Sequence, residues 1–297
     1  MKAATMLALL TIVLLPSILR AEEPDVQAVA RITGLQPEVK DGIVTVKVPR
    51  KDLGVVADGV TLDPFQGLTS WAAFQQVGNQ TMVMGDLTLS EEEVNAAMSA
   101  ALENGLEVTA LHNHFSSDRP HVFFMHIGGM GTTEQLAGGL RRALDAIAAV
   151  EKPKGASHEG AGGVAISASA GKNTLDAKAL EAILGPSNAT KDGMVKFVFG
   201  RKTTRHGVEV GALMGVNTWA TFAGTPEAAV VDGDFAMLPG EVQGVLKVLR
   251  RAGISIVAIH NHTIDEEPRL VFLHYWGRGA ADSLARNIRA ALDTQQK

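Results

Sequence analysis

The fifteen residues His112-Asn113-His114-Phe115-Ser116-Ser117-Asp118-Arg119-Pro120-His121-Val122-Phe123-Phe124-Met125-His126 decide how this chain is read, because their frame returns 148 positions later. The second occurrence is His260-Asn261-His262-Thr263-Ile264-Asp265-Glu266-Glu267-Pro268-Arg269-Leu270-Val271-Phe272-Leu273-His274. A gap-free shift by 148 matches 19 of the 65 positions of Gly67–Gly131 with Gly215–Gly279, where unrelated chains of ordinary composition match roughly 4. One unit has been duplicated. Six of the nine histidines are the three that recur in each copy.

Side chains alternate faces along a β-strand, so His112 and His114 point to one side and Asn113 to the other. The chain then turns back through Pro120, and an antiparallel return strand can bring His126 to the same face. His260, His262 and His274 repeat the arrangement. Three convergent imidazoles are the protein share of an open metal site, with zinc the first choice and copper or nickel the alternatives. A lone histidine is more often structural. Identical spacing in two copies that otherwise agree at 19 of 65 positions turns the balance toward metal. Ordinary imidazoles would let go of the metal below pH ~6.5. The ligands could form two sites, or one shared site on a pseudo-twofold axis.

Glu93 and Glu241 recur in the first turn of the helix before the histidine strand. They are candidates for fourth ligand, for orienting a ligand, or for a general base. Ser90 with Glu93 also makes a capping box, but Leu238 stands in the second copy where Ser90 stands in the first. Asp118 and Glu266 read as solvated loop acids, with partners that orient a metal ligand as the weaker alternative, and Asn113 and Asn261 as partners of the loop backbone. Trp71 and Trp219 recur with Phe74 and Phe222 on a strand; core packing is the plain reading, a stacking platform for a sugar or base the functional one. The pairs Gly129/Gly131 and Gly277/Gly279 precede helices and read as tight strand-to-helix turns, with anion binding as the weaker alternative.

Working outward, each copy starts with a short helix, Asp25–Ile32 or Asp176–Ile183, followed by a Lys-Asp-Gly turn and an alternating strand, Ile43–Val48 or Met194–Phe199. These segments are offset by 151, so the first copy carries three extra residues between about Arg50 and Gly59. Strands at Met82–Leu87 and Val230–Phe235 end on a shared Gly-Asp pair, Gly85-Asp86 and Gly233-Asp234. A helix from Ser90 to Asn104, its copy from Pro239, and closing helices Thr132–Val150 and Ala280–Asp293 complete the units. The expected fold is mixed α/β (α+β): two homologous tandem domains, each a largely antiparallel sheet with two helices. The boundaries are a signal peptide at 1–21, repeat one at 22–151, a Gly/Ala/Ser-rich linker at 152–172 and repeat two at 173–297.

The chain is 46% hydrophobic and 20% charged, an ordinary globular composition. The uninterrupted apolar run Ala3–Leu15 after Met1-Lys2 reads as a secretory signal cut near Ala21/Glu22, giving a periplasmic or secreted product. With no cysteine there is no disulfide, thiolate ligand or lipid-accepting residue, so no membrane anchor is expected after cleavage. Removing Lys2 and Arg20 takes the formal charge from −5 to −7, which with no basic cluster argues against nucleic acid. The adjacent letters His-Asn-His are therefore not the nuclease motif of that name.

His-Asn-His, then Pro, then an aromatic-rich strand ending in His and Gly-x-Gly resembles the LppY/LpqO family, bacterial extracytoplasmic proteins built on a domain of unknown function. The resemblance covers both repeats, about residues 26–297, and implies fold and location more than activity. Some members are lipoproteins; this chain lacks their cysteine. The leading expectation is an exported metal-binding protein. The alternatives are a metal-dependent hydrolase with a glutamate base, and a metal-free glycan- or cell-wall-binding module using Trp71 and Trp219.

Overall fold

The computed structural model describes residues 24–150 and 173–295. The expected signal peptide at 1–21 and linker at 152–172 lie outside the described residues. In the first repeat the main strands are β1 (Glu38–Lys40), β2 (Ile43–Pro49), β3 (Thr69–Val77), β4 (Gln80–Ser90), β5 (Glu107–His112) and β6 (Val122–Gly131). They form one antiparallel sheet in the order β1-β2-β3-β4-β6-β5. The second repeat gives β7 (Ala189–Lys191), β8 (Met194–Gly200), β9 (Asn217–Gly224), β10 (Ala229–Met237), β11 (Ser255–His260) and β12 (Val271–Gly279), ordered β7-β8-β9-β10-β12-β11. The two topologies are the same, as the duplication requires.

Each sheet carries three helices on one face: α1 (Val26–Thr33), α2 (Val94–Glu103) and α3 (Thr133–Ala149), then α4 (Ala177–Leu184), α5 (Val242–Arg251) and α6 (Ala281–Leu292). The short segments α1 and α4 thus join the two long helices of each unit. Local chemistry sets the ends. Asp25 caps α1 by accepting from Ala28 N at 2.9 Å, and Thr132 caps α3 through a reciprocal box with Gln135. Among the described residues no helix is long and apolar enough to cross a membrane.

Alternation along the strands divides the core. Leu87, Met125 and Ile127 point into the helices of repeat one, and Phe235, Leu273 and Tyr275 into those of repeat two. The intervening residues face the other way, and there the two sheets pack on each other. Met82, Met84 and Ala73 lie with Met214, Ala236 and Phe272, while Phe124, Val122 and Phe115 lie with Val230 and Trp276. The result is four layers, helices, sheet, sheet, helices, with a seam running between the repeats.

Both edges of the seam are tied by polar contacts. Arg205, fully buried, donates to Glu107 at 2.8 Å in the other repeat and to Asp265 at 2.6 Å. Trp276 Nε1 donates to Asp58 Oδ2 at 2.8 Å, and Lys191 reaches Asp63 at 2.8 Å. The three extra residues of the first repeat form a single 3-10 turn, Lys51–Leu53, leaving the sheet undisturbed.

Trp71 and Trp219 are half-buried at this seam in a reciprocal contact. A Cβ on Gly215 would lie 2.5 Å from the ring of Trp71, and one on Gly67 would lie 3.3 Å from the ring of Trp219. Both glycines also have left-handed backbones, φ 95° for Gly67 and 83° for Gly215. Each indole therefore rests against a glycine of the opposite repeat. Gly129 and Gly131 fall inside β6, where a Cβ on Gly129 would sit 3.3 Å from Leu136; their smallness lets α3 approach the sheet.

Candidate metal centre

Strand register places the histidines. His112 ends β5 opposite Phe124 of β6, and a bulge between Val108 and Ala110 keeps Ala110 and His112 facing the seam. His114 follows two residues later, and His126 lies two residues beyond Phe124 on the same face. The second repeat reproduces this with a bulge between Ile256 and Ala258, His260 opposite Phe272, and His274 two residues on. His114 stacks on Phe124 at 3.5 Å between ring centroids, and His262 on Phe272 at 3.4 Å.

Because both sets face the seam, all six imidazoles meet. His112 and His260 stack with centroids 3.8 Å apart, His114 lies 3.6 Å from His274, and His126 lies 3.9 Å from His262, every pair joining one repeat to the other. The two histidine sets thus lie together in one cluster between the repeats. Five of the rings are buried and His260 is half-buried, so the cluster meets solvent on the His260 side.

The hydrogen-bonding of the rings is lopsided in a way that suits a metal. The Nδ1 atoms of His112, His262 and His274 face the carbonyls of Asn113, Gly215 and Gly233 at 3.4, 3.2 and 3.1 Å, and His126 bonds the backbone of Gly85. A carbonyl can only accept, so it fixes the proton on Nδ1 and leaves the Nε2 lone pair free. All six Nε2 atoms are buried without a hydrogen-bond partner in the protein, as are Nδ1 of His114 and His260.

Two carboxylates complete the cluster, Asp86 and Asp234, the acids of the shared Gly-Asp pairs. They lie on β4 and β10 directly across from His126 and His274. Asp234 Oδ2 is 3.1 Å from Nε2 of His262, without hydrogen-bond alignment, and 4.0 Å from Nε2 of His274. Asp86 Oδ2 is 3.9 Å from Nε2 of His114. Sequence reading noted these acids as recurrent but did not join them to the histidines, because only the β4–β6 and β10–β12 registers bring them together.

Among the described residues, three groups have ligand atoms within 4.8 Å of one another: His112, His114 and His274; His112, His126 and His260; and Asp234, His260 and His262. The first two draw on both repeats.

Burial governs the electrostatics. It pushes the imidazoles of His112, His262 and His274 down to about 3, and those of His114, His126 and His260 well below the usual histidine range, with neighbouring imidazoles adding to the effect at most of them. Burial raises the Asp86 carboxyl to about 8, helped by the charge of Asp234, and raises Asp234 to about 6 against the opposing pull of His274. At neutral pH the cluster therefore presents neutral imidazoles, the form that coordinates a cation.

Glu93 and Glu241 are not brought into any of these groups. Glu93 is buried with both carboxylate oxygens on Arg50, at 2.9 and 3.0 Å, and Oε2 also accepts from Ser90 N at 2.8 Å. Glu241 accepts from Arg201 at 2.7 Å and from Leu238 N at 2.8 Å. The half of a capping box that uses the backbone amide needs no serine, so Leu238 still allows Glu241 to cap its helix. Arginine and amide together commit each glutamate to structure rather than to base chemistry.

The loop acids are also buried rather than solvated. Asp118 binds His121 at 2.9 Å and Val122 N at 2.8 Å, and Glu266 binds Thr263 and Leu270 N, so each clamps the turn between its His pair and the return strand. Both turns contain a cis peptide, Arg119-Pro120 and Glu267-Pro268. Asn113 donates to Val122 O at 3.2 Å as expected of a loop partner, whereas Asn261 reaches across the seam to Thr109 O at 2.9 Å as well as to Thr263 O.

The model of the family described as Domain of Unknown Function (DUF1259) matches residues 27–146 and 178–294, once on each repeat. The chain belongs to this family. All six clustered histidines and both aspartates fall within the DUF1259 matches, so the centre is assembled from two copies of the family's unit. No curated protein matches the chain. Among solved structures it is similar to the trimeric bacterial microcompartment shell protein PduB, at 10% identity over 87% of this chain and 89% of that one, with a TM-score of 0.21. It is similar also to EtuB from Clostridium kluyveri, at 10% identity over 88% and 90%, again with a TM-score of 0.21. Likeness at that level carries no argument.

Proposed function

We propose that this protein binds a divalent transition metal, zinc first and copper next, in one centre shared by its two repeats and located outside the cytoplasm. The observation that carries the reading is the set of six buried Nε2 atoms, from both repeats, without a protein partner. An unpaired buried polar atom costs about 1–3 kcal/mol, so six in one cluster are a liability that bound metal removes. Imidazole nitrogen with carboxylate oxygen favours zinc or copper over calcium or magnesium, which prefer oxygen throughout. The location rests on the apolar leader Ala3–Leu15 and agrees with the LppY/LpqO resemblance.

Elemental analysis and calorimetry with Zn²⁺ and Cu²⁺ test the metal reading on the wild type and on the double variant His112→Ala with His260→Ala. Metal content should collapse in the variant; unchanged content rejects the assignment. Mass spectrometry of the exported protein should find an N-terminus near Glu22, and an intact Met1 in the cytoplasm rejects the location.

A further inference from the structure

Resting on that reading, we infer that the centre is binuclear. One ion is held by His112, His114 and His274 beside Asp86, and its counterpart by His260, His262 and Asp234 beside His126.

The duplication itself relates the two halves. A shift of 148 carries His112 to His260, His114 to His262, Asp86 to Asp234 and His126 to His274. The group His112, His114, His274 and the group Asp234, His260, His262 have no residue in common, so both can be filled at once. In the first, the return-strand histidine comes from the other repeat and its ring lies 3.6 Å from His114. In the second, His126 occupies the equivalent place, 3.9 Å from His262. The carboxylates correspond as well, Asp86 beside His114 at 3.9 Å and Asp234 beside His262 at 3.1 Å. Each ion would take its His-x-His pair and its aspartate from one repeat and its third imidazole from the other.

The remaining group, His112, His126 and His260, lies across the axis and would admit a single ion. Counting the unpaired nitrogens separates the two arrangements. One ion on three histidines leaves three of the six Nε2 atoms buried and unsatisfied, whereas the two disjoint groups take up five and leave only His126, whose ring lies 3.9 Å from His262, to join the second ion. Two aspartates offset half of the four positive charges and neutral imidazoles supply the remaining donors; the count of nitrogens, not of charges, carries the assignment.

The test is the number of ions per chain, read by native mass spectrometry and elemental analysis on Zn²⁺-loaded, full-length protein. Two ions are expected. One ion overturns the binuclear centre and leaves the shared metal site standing; none removes both. Two further variants assign the ligands while keeping the ring stacks on Phe124 and Phe272: His114→Phe and His262→Phe should each hold one ion and together none. Retention of two ions by His114→Phe overturns the assignment. With Cu²⁺ the wild type should show the electron paramagnetic resonance of a coupled pair, and His114→Phe that of an isolated ion.

Discussion

His126 and Asp86 sit directly opposite each other on neighbouring strands β6 and β4, and the same pairing joins His274 to Asp234 on β12 and β10. A carboxyl is thereby fixed beside the rings in each repeat by backbone register alone. At pH 7 the buried Asp86 carboxyl, raised to about 8, is mostly protonated, and Asp234, raised to about 6, is mostly ionised. A cation entering the centre expels the Asp86 proton. Calorimetry of Zn²⁺ binding in buffers of different ionisation enthalpy should report about one proton released per chain at pH 7, and Asp86→Asn should abolish the release.

The metal-free protein should lose stability as pH falls from 6.5. Native imidazoles held near 3 cannot take up the protons that the unfolded chain binds below 6.5, so the unfolded state gains protons and is favoured. One such histidine costs about 2 kcal/mol at pH 5. The aspartates act in the opposite sense, since their raised values let the native state hold more protons above pH 3.8. Six rings outnumber two carboxyls, so the net slope follows the histidines. Urea melts of chelated protein at pH 7 and pH 5 check this; equal stability at both contradicts it. The same burial means that native imidazoles compete with protons far less than free ones, so metal affinity should hold well below pH ~6.5, against the expectation from ordinary histidines.

Loading the centre should raise thermal stability. A ligand that binds only the folded chain at a thousand times its Kd stabilises by about 4 kcal/mol. Thermal melts with Zn²⁺ and after chelation should differ by several degrees, and the difference should vanish in the His112→Ala, His260→Ala variant.

Glu93 should behave as a structural residue. Glu93→Gln should keep metal content while lowering the melting temperature. Arg50→Met should be the more damaging change, by about 3–5 kcal/mol, because it leaves a buried carboxylate without its cation. A loss of metal in Glu93→Gln with stability unchanged would reverse this assignment.

Gly215→Val should open the seam, since its side chain would occupy the space of the Trp71 ring and strain a backbone at φ 83°. Stability and metal content should fall together, measured on the same preparation, because the seam and the centre are one structure.

The histidine spacing and the order of strands and helices were legible because a duplication repeats them against a diverged background. His112 and His114 could be placed on one face from alternation, and His126 beside them from an antiparallel return strand. The meeting of the two sets was not legible: a shift of 148 compares each repeat with the other but says nothing about how one packs on the other. Asp86 and Asp234 needed the β4–β6 register, which depends on strands more than thirty residues apart. Arg50 and Arg201 correspond in the 151 offset that precedes the insertion, but Glu93 and Glu241 follow the 148 offset, and only the fold brings the arginines to them. Asp118 and Glu266 were misplaced because a charged loop residue looks solvated until the turn closes on it.

Ligands divided equally between two like halves are what a homodimer offers at its symmetry axis, and here both halves lie on one chain. Fusion frees them to differ, and they have begun to: Asp232 stands in the second repeat where Met84 stands in the first, and Lys196 where Thr45 does. A duplicated gene ordinarily gains a spare. In the proposed centre this one does not, because each half would lend its return-strand histidine to the other, and decay of either copy would disable both.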